Sequence, residues 1–375
     1  LLIAPGVIHR ELSVPEKLLV VTIAALLGIV TYHLVENPLR NVAFLKNRMP
    51  LWSLGFGALL VLIPWGISQR YIDAHQEGPA IAMEQAALAD YPSEDEVLTE
   101  VANSVEVSEW PEQPPRIENL AYSDECDVTR AATSSSACVH GNPDAERTVV
   151  VYGDSHAAMW IPAFDIIGKE ADWRVIQLNK PGCIAPDFPT YSNVLGREYT
   201  ECIEYRDWAM GKIEELQPDV VVVTSARSGS LMSDGGEGTD EGVDEAWEEG
   251  LGRTIDRISP NAGRVVILGD MPYPTLPGID CLSANPNDVE RCTDSVEDSV
   301  LAEHNAMEQR VAEEHGAEYV DITPWFCTGE VCPAVINDLT VHRDRMHISE
   351  NYAVWLSEVL GQATGLIETP IAITD

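Results

Sequence analysis

The hydrophobic residues of this chain are concentrated near its start. Two runs, residues 18–35 and 51–67, contain no Asp, Glu, Lys or Arg. Each run comes close to the ~20 apolar residues that a helix needs to cross the hydrocarbon core of a bilayer. The pattern therefore predicts two transmembrane helices within residues 1–70. A pair of buried core helices is the alternative.

The segment between the two runs predicts their orientation. It holds Arg40, Lys46 and Arg48 with no acidic residue between them. Because cytoplasmic loops carry an excess of Lys and Arg, we expect this loop in the cytoplasm and everything after about Ile67 outside. The chain begins with Leu rather than Met, so we expect the tail of a longer plasma-membrane protein with an extracytoplasmic C-terminal domain.

The pattern changes at about residue 146. Short runs rich in Val and Ile alternate with helical segments. The runs are 148–153, 173–178, 219–225, 264–270 and 317–321, and the helical segments are 157–170, 203–217, 243–258, 295–315 and 350–362. Continuous apolar runs are typical of strands buried on both faces, and their alternation with helices predicts a three-layer α/β/α domain with a parallel sheet. We place this domain at 146–365, followed by a tail at 366–375.

Residues 71–145 lack a sustained apolar period and are rich in Ala, Glu, Pro and Ser. They are predicted as an acidic linker or extension. The chain has a net charge of −38, and because residues 1–70 hold six basic and three acidic residues, the remainder carries −41. Such a charge repels phosphate backbones, which excludes a nucleic-acid partner.

All eight cysteines follow the predicted membrane segments. An even number in one compartment outside the cytoplasm favours disulfides. A structural metal site is disfavoured because no C-x-x-C spacing occurs. Sequence does not choose among the possible connectivities, but nearest-neighbour pairing would join Cys126–Cys138, Cys183–Cys202, Cys281–Cys292 and Cys327–Cys332.

The first candidate chemistry stands at the end of the first predicted strand, where Gly153-Asp154-Ser155-His156 leads into a helix. Ligands bind beyond the carboxyl ends of the strands in parallel α/β domains. Gly153 permits a tight turn, and Ser155 would lie at a helix N-terminus, where unpaired N–H groups favour an oxyanion. The structural alternative is that Asp154 or Ser155 only caps the helix.

A serine needs a base to become nucleophilic, and the loop before the last helix offers one. Asp344 and His347 are three residues apart in this loop, so the carboxylate can fix the imidazole tautomer. His342 is the weaker base because no acidic residue stands at the matching spacing. An isolated D-x-x-H is a weak signal, but its position together with that of Ser155 predicts a catalytic triad.

These motifs resemble the SGNH hydrolase and acyltransferase superfamily. GDSH after the first strand and DRMH near the end match its terminal blocks, and YHLVENPLR at residues 32–40 is similar to the end of the acyltransferase family 3 membrane domain. Segments 181–183 and 331–333 also resemble the fused extracytoplasmic domains of such membrane acyltransferases. The resemblance implies an SGNH-type, flavodoxin-like fold preceded by the two transmembrane helices.

The resemblance implies roles for individual residues. Ser155 is expected as the nucleophile, His347 as the general base and acid, and Asp344 as its orienting partner. The oxyanion donors are expected to be the N–H groups of Ser155 and Gly182. The superfamily asparagine after the third strand is absent, since residues 224–228 are TSARS, and Arg227 is either a cationic donor or a structural ion-pair residue.

The resemblance also implies a reaction. The expected function is O-acyl transfer, with acetyl as the expected group, from a serine acyl-enzyme to a hydroxyl of a cell-envelope glycan. Acyl-CoA would serve as donor to the absent membrane part, and no cofactor or metal is expected in this segment. An extracytoplasmic carbohydrate esterase or deacetylase with the same triad is the second hypothesis, and a non-catalytic glycan-binding domain is the third.

Overall fold

The computed structural model describes residues 91–368, apart from 114–115, 124–125, 127, 229 and 233–237, together with scattered positions between 21 and 70. The chain divides into two compact units, Leu1–Ala80 and Ile81–Asp375. In the first unit, the described residues 28–31 and 62–66 are helical. The two predicted transmembrane segments lie largely outside the described residues. Among the residues that are described, no helix is long and apolar enough to cross a membrane.

The second unit contains a six-stranded sheet within its described residues. Its strands are β1 (Val139–Gly141), β2 (Arg147–Gly153), β3 (Trp173–Asn179), β4 (Val220–Thr224), β5 (Arg264–Leu268) and β6 (Glu318–Val320), in the order β1-β3-β2-β4-β5-β6. All neighbours are parallel except β1, which is antiparallel to β3. The parallel sheet predicted from the apolar runs is confirmed. Its chain order reverses between β2 and β4, which is where flavodoxin-like sheets bind ligands.

The helices among the described residues of this unit are α1 (Glu94–Asn103), α2 (Ser155–Glu170), α3 (Thr200–Leu216), α4 (Val243–Ile258), α5 (Gly278–Ala284), α6 (Val296–Ser299), α7 (Ala302–Glu314), α8 (Glu350–Trp355) and α9 (Ser357–Ala363). Of these, α1 precedes the sheet and the other helices come after strands, as the pattern predicts. The helix expected over 295–315 is interrupted between α6 and α7. The Ser299 carbonyl there accepts a hydrogen bond from the Tyr273 N–H at 2.9 Å, a tertiary contact that an apolar period does not reveal.

Short ribbons occupy several loops of the described region. They pair Tyr191–Ser192 with Arg197–Glu198, Leu231–Met232 with Gly238–Thr239, Asp294–Ser295 with Val331–Cys332, and Val335–Ile336 with Leu339–Thr340. Four disulfides join the same nearest-neighbour pairs that the sequence suggested: Cys126–Cys138, Cys183–Cys202, Cys281–Cys292 and Cys327–Cys332. Each one closes a local loop.

The core lies on both faces of the sheet because successive strand residues point to opposite sides. Val149 and Val151 of β2 pack in the cluster that contains α2 and α8. Val150 and Tyr152 of the same strand pack in the cluster that contains α3, α4 and α7. Burial of each such side chain stabilises the fold by about 1.5–3 kcal/mol. The result is the predicted three-layer α/β/α arrangement.

The described part of the predicted linker differs from an irregular tether. Val97 and Val101 of α1 are one turn apart and buried, and α1 packs against α9. Farther along, the Trp110 indole N–H donates to the Thr340 hydroxyl at 3.0 Å. The buried apolar face of α1 consists of two residues, which is too short a pattern for periodicity to detect.

The turn that ends β2 allows only a glycine. Gly153 has φ +154°, and a Cβ built there would lie 1.8 Å from the carbonyl oxygen of Thr224. Gly153→Ala must therefore separate β2 from β4, and we expect it to lower the free energy of unfolding by at least ~3 kcal/mol. Urea unfolding of the purified chain measures this. The control is Gly211→Ala at an exposed position of α3, where a Cβ meets nothing within 4 Å and should stabilise the helix by about 1 kcal/mol. Equal stability of Gly153→Ala and the wild type would contradict the close approach.

Candidate active site

The turn between β2 and α2 places Ser155 at the start of a helix. Asp154 is the N-cap of α2, and its side chain accepts a hydrogen bond from the His156 N–H at 2.8 Å. Its two carboxylate oxygens also lie 3.3 and 3.2 Å from the N–H of Ala226, which follows β4. Ser155 is the first residue of α2, so its N–H has no intrahelical acceptor and lies at the positive end of the helix dipole.

The D-x-x-H loop forms the dyad that its spacing predicts. Nδ1 of His347 is 3.0 Å from each carboxylate oxygen of Asp344. Burial raises the pKa of the Asp344 carboxyl. Hydrogen bonds from His347 and from the Met346 N–H, together with the nearby Arg343, lower it by more than burial raises it, so the net pKa lies below the usual range. Within the described residues, Nε2 of His347 is buried and has no hydrogen-bond partner. It is the nitrogen that remains for proton transfer.

The structure brings this loop to the start of α2. The ring of His347 lies 5.6 Å, between centroids, from the ring of His156, the residue that follows Ser155. Two bonds hold the loop in shape: the Arg343 N–H donates to the His347 carbonyl at 3.0 Å, and the Arg343 guanidinium contacts Glu350 at 2.6 Å. Residues that are almost 200 positions apart in sequence thereby meet at one edge of the sheet.

A buried ion pair lies behind Ser155. Nδ1 of His156 donates to Asp270 at 2.6 Å, and both side chains are buried. Burial lowers the pKa of His156, but the Asp270 carboxylate outweighs this effect and raises it to about 9. Asp270 also accepts hydrogen bonds from the N–H groups of Met271 and Arg227 and from the Tyr273 hydroxyl. At neutral pH His156 is therefore an imidazolium.

Sequence reasoning missed Asp270 and Tyr273. Asp270 follows β5, and Tyr273 stacks on His156 with 5.9 Å between ring centroids. The signal was available for Asp270, because it is a carboxylate just beyond the carboxyl end of a buried strand. No comparable signal marked Tyr273, since a tyrosine in a loop has no fixed partner in the sequence.

Two of the predicted oxyanion donors, Gly182 and Arg227, lie in different surroundings. Gly182 lies in the turn Lys180–Cys183 and has φ +67°. At the start of this turn, the Lys180 N–H donates a hydrogen bond to the Gly153 carbonyl at 3.1 Å. This bond sets the turn beside the end of β2. The Arg227 guanidinium instead binds Asp244 at 2.7 and 3.0 Å and lies over the Trp247 ring, which is the ion-pair alternative.

The segment after β4, where the superfamily asparagine is missing, is used for structure. The Ser225 hydroxyl accepts from the Ala185 N–H at 2.8 Å. An asparagine does occur nearby: Asn179 ends β3 in register with Gly153 and is buried, and its Oδ1 has no partner among the described residues. Strand alternation puts its side chain on the α2 face, a position that the family pattern does not use.

His342 is excluded as the base by its surroundings. It is buried, its Nε2 bonds the Pro272 carbonyl at 2.9 Å, and its ring stacks on Phe326. Burial lowers its pKa to about 4, so it is neutral and structural. Among the described residues, no group of three or more His, Cys, Asp or Glu side chains could hold a metal ion.

The fold and these residues define an α/β domain of the SGNH type. Residues 125–362 match the family described as "SGNH domain (fused to AT3 domains)". The match covers more than half of the chain, and the chain therefore belongs to this family. No curated protein sequence matches the chain at a significant level.

Several solved structures are similar to the chain at low identity. The periplasmic domain of a lipopolysaccharide acetyltransferase from Salmonella ser. Paratyphi A is 17% identical, with a TM-score of 0.46 over 59% of this chain and 84% of that chain. A catalytic mutant of the acetylxylan esterase Axe2 from Geobacillus stearothermophilus is 12% identical, with a TM-score of 0.35 over 60% and 98%. The carbohydrate acetylesterase Est24 from Sinorhizobium meliloti is 12% identical, with a TM-score of 0.32 over 59% and 99%.

The buried pair makes stability depend on pH. Because the pKa of His156 rises from 6.5 to about 9 on folding, its contribution is fully present below pH 6.5 and is lost as pH rises through 9. The gap in unfolding free energy between the wild type and His156→Gln should therefore shrink by on the order of 3 kcal/mol between pH 6 and pH 9.5. Urea unfolding at several pH values measures the gap.

The matched control is His315→Gln. His315 pairs with Asp256 at 2.8 Å, but on the surface, where an ion pair is worth ~0–1 kcal/mol. Its gap to the wild type should stay nearly constant over the same pH range. A His156→Gln gap that is equally constant would show that His156 is not charged in the folded protein.

Proposed function

We propose that this chain transfers an acyl group, with acetyl as the expected group, through an acyl-enzyme on Ser155 to a hydroxyl of an extracytoplasmic cell-envelope glycan. The observation that supports this most is the Asp344–His347 dyad at the start of α2. Its Nδ1 is held by the carboxylate and its Nε2 has no partner among the described residues. This arrangement suits a base that acts on the first hydroxyl of the helix.

The proposed reaction has two steps. Ser155 Oγ attacks the carbonyl carbon of the acyl donor and gives its proton to His347 Nε2, which passes the proton to the leaving group. A glycan hydroxyl then attacks the acyl-enzyme, His347 takes the hydroxyl proton, and Ser155 recovers it as the ester forms. The N–H groups of Ser155 and Gly182 are proposed to hold the oxyanion. Arg227 is left out of this role because Asp244 occupies its guanidinium.

Transfer is favoured over hydrolysis by the kind of protein to which the domain belongs. The family is described by its fusion to AT3 domains, and the sequence predicts two membrane segments before the SGNH domain. Such an arrangement suits delivery of acyl groups from cytoplasmic acyl-CoA through the membrane part. Four disulfides suit an extracytoplasmic location. Hydrolysis is the second candidate because Ser155 is partly exposed and water can reach it.

Acylation of the whole chain, purified in mild detergent, tests the proposal. With 4-nitrophenyl acetate as donor, mass spectrometry should find one acetyl group on Ser155. Ser155→Ala and His347→Ala should slow release of nitrophenolate by at least ~10³-fold, because triad members act as a unit. Ser192→Ala, which removes another partly exposed hydroxyl, is the control and should react like the wild type.

The same assay separates the two candidate reactions. If added glycan fragments accelerate deacylation and gain the acetyl group, transfer is supported. Release of acetate at one rate with and without every glycan tried would favour hydrolysis. A Ser155→Ala variant that reacts like the wild type would remove the catalytic assignment altogether.

A further inference from the structure

An open cleft lies next to Arg227, which follows β4. The N-terminal parts of α4 and α7 form two of its walls, and Arg227 forms a third. Its volume is about 780 Å³, which is in the ~300–1,000 Å³ range of small-molecule sites. The mechanism above does not use this space.

The cleft shares a wall with the buried network behind Ser155. The Arg227 N–H donates to Asp270 at 2.8 Å and to the Tyr273 hydroxyl at 2.9 Å. The Tyr273 N–H in turn binds the Ser299 carbonyl, and the next residue, Val300, lines the cleft. Since Asp270 also holds His156, this wall is built on the residues next to the nucleophile.

Two ion pairs give the cleft a polar lining. Arg227 binds Asp244 at 2.7 Å, and Arg310 of α7 binds both carboxylate oxygens of Glu248 of α4, at 2.7 and 3.0 Å. Each guanidinium has five N–H donors and each carboxylate has several acceptor sites. These pairs therefore hold their groups in place and keep further donors and acceptors for a ligand, which suits a compound rich in hydroxyl groups.

The rest of the lining limits the charge of that ligand. The cleft has two arginines against three carboxylates, counting Glu303, and it belongs to a region that carries −41. Anionic groups such as uronates or phosphates are repelled. Val300, Leu301 and Met307 add apolar surface, and Leu301 is 39% exposed, so the C–H face of a sugar ring can pack there.

We propose that this cleft binds a neutral sugar unit of the acceptor glycan. The inference rests on the proposed function and adds where the acceptor binds and which class of sugar it is. The ion pairs hydrogen-bond the hydroxyl groups of the sugar, and the apolar strip contacts its ring. The Arg227 N–H connects this cleft to Asp270, which holds His156, the residue after Ser155.

Binding of oligosaccharides to the whole chain tests the inference. Calorimetry would compare a panel of neutral oligosaccharides with uronic-acid oligosaccharides of the same length. We expect a neutral member to bind and its acidic counterpart to bind at least tenfold more weakly. Glu248→Gln should raise the dissociation constant at least about fivefold, because it breaks the Arg310 pair and loses a charged acceptor.

Two further variants keep the test specific. Ala302→Trp places a bulky side chain on the exposed first residue of α7, in the cleft, and should reduce binding more than Glu248→Gln does. Glu249→Gln is the matched control: the residue is next to Glu248 but pairs with Arg253 instead, so binding should stay within twofold of the wild type. Equal binding by the wild type and by both Glu248→Gln and Ala302→Trp, or no binding by any neutral member, would overturn the inference.

Acetylation of Ser155, measured on the same samples, separates this inference from the proposed function. The control Glu249→Gln should be acetylated by 4-nitrophenyl acetate at the wild-type rate, while the KM for the acceptor rises in Glu248→Gln and Ala302→Trp. Acetylation without any neutral oligosaccharide bound in the cleft would leave acyl transfer standing and remove the acceptor site. Binding without acetylation would overturn both the acceptor role of the cleft and the proposed function.

Discussion

The structure of the site depends on the close approach of two strands at the centre of the sheet. The Cα of Gly153 leaves no room for a side chain against the Thr224 carbonyl. This contact lets Asp154 reach the N–H groups on both sides, His156 at the start of α2 and Ala226 after β4. The buried Asp154 carboxylate thereby joins the turn that carries Ser155 to the segment after β4.

Buried charge is balanced around one cation. Asp154 and Asp270 are both buried. The Asp270 carboxylate raises the pKa of Asp154 by repulsion, and both carboxylates raise the pKa of Tyr273. Burial raises the pKa of Asp154 in spite of the attraction of His156. Burial also raises the pKa of Asp270, but His156 and several N–H and O–H donors outweigh this effect and lower it overall. The His156 imidazolium therefore stabilises two carboxylates that would be costly to bury alone. A neutral residue at this position would leave both without a counter-charge.

The same hydrogen-bond network joins the turn that carries Ser155 to the cleft lined by Arg227. Asp270 holds His156 on one side and the Arg227 backbone on the other, so the cleft and the nucleophile share a rigid support. A glycan bound in the proposed acceptor cleft would be positioned by groups whose geometry is set from within the core, which would favour transfer to its hydroxyl over attack by water.

Sequence alone determined the layered architecture and predicted the candidate catalytic residues. Val-rich runs such as that of β4 can be buried on both faces only in a covered parallel sheet, and Ser155, Asp344 and His347 stand at positions where such a sheet exposes its carboxyl edge. The disulfide pairs were suggested correctly because each closes a short loop. Only the tertiary structure decided the rest. Asp270, Tyr273 and Arg227 meet through contacts between loops more than 40 residues apart, and such contacts leave no period or spacing in the chain. The edge strand β1 has no apolar run, and its place in the sheet is set by its pairing with β3. The buried face of α1 has only two residues, and it is set by the packing of α1 against α9.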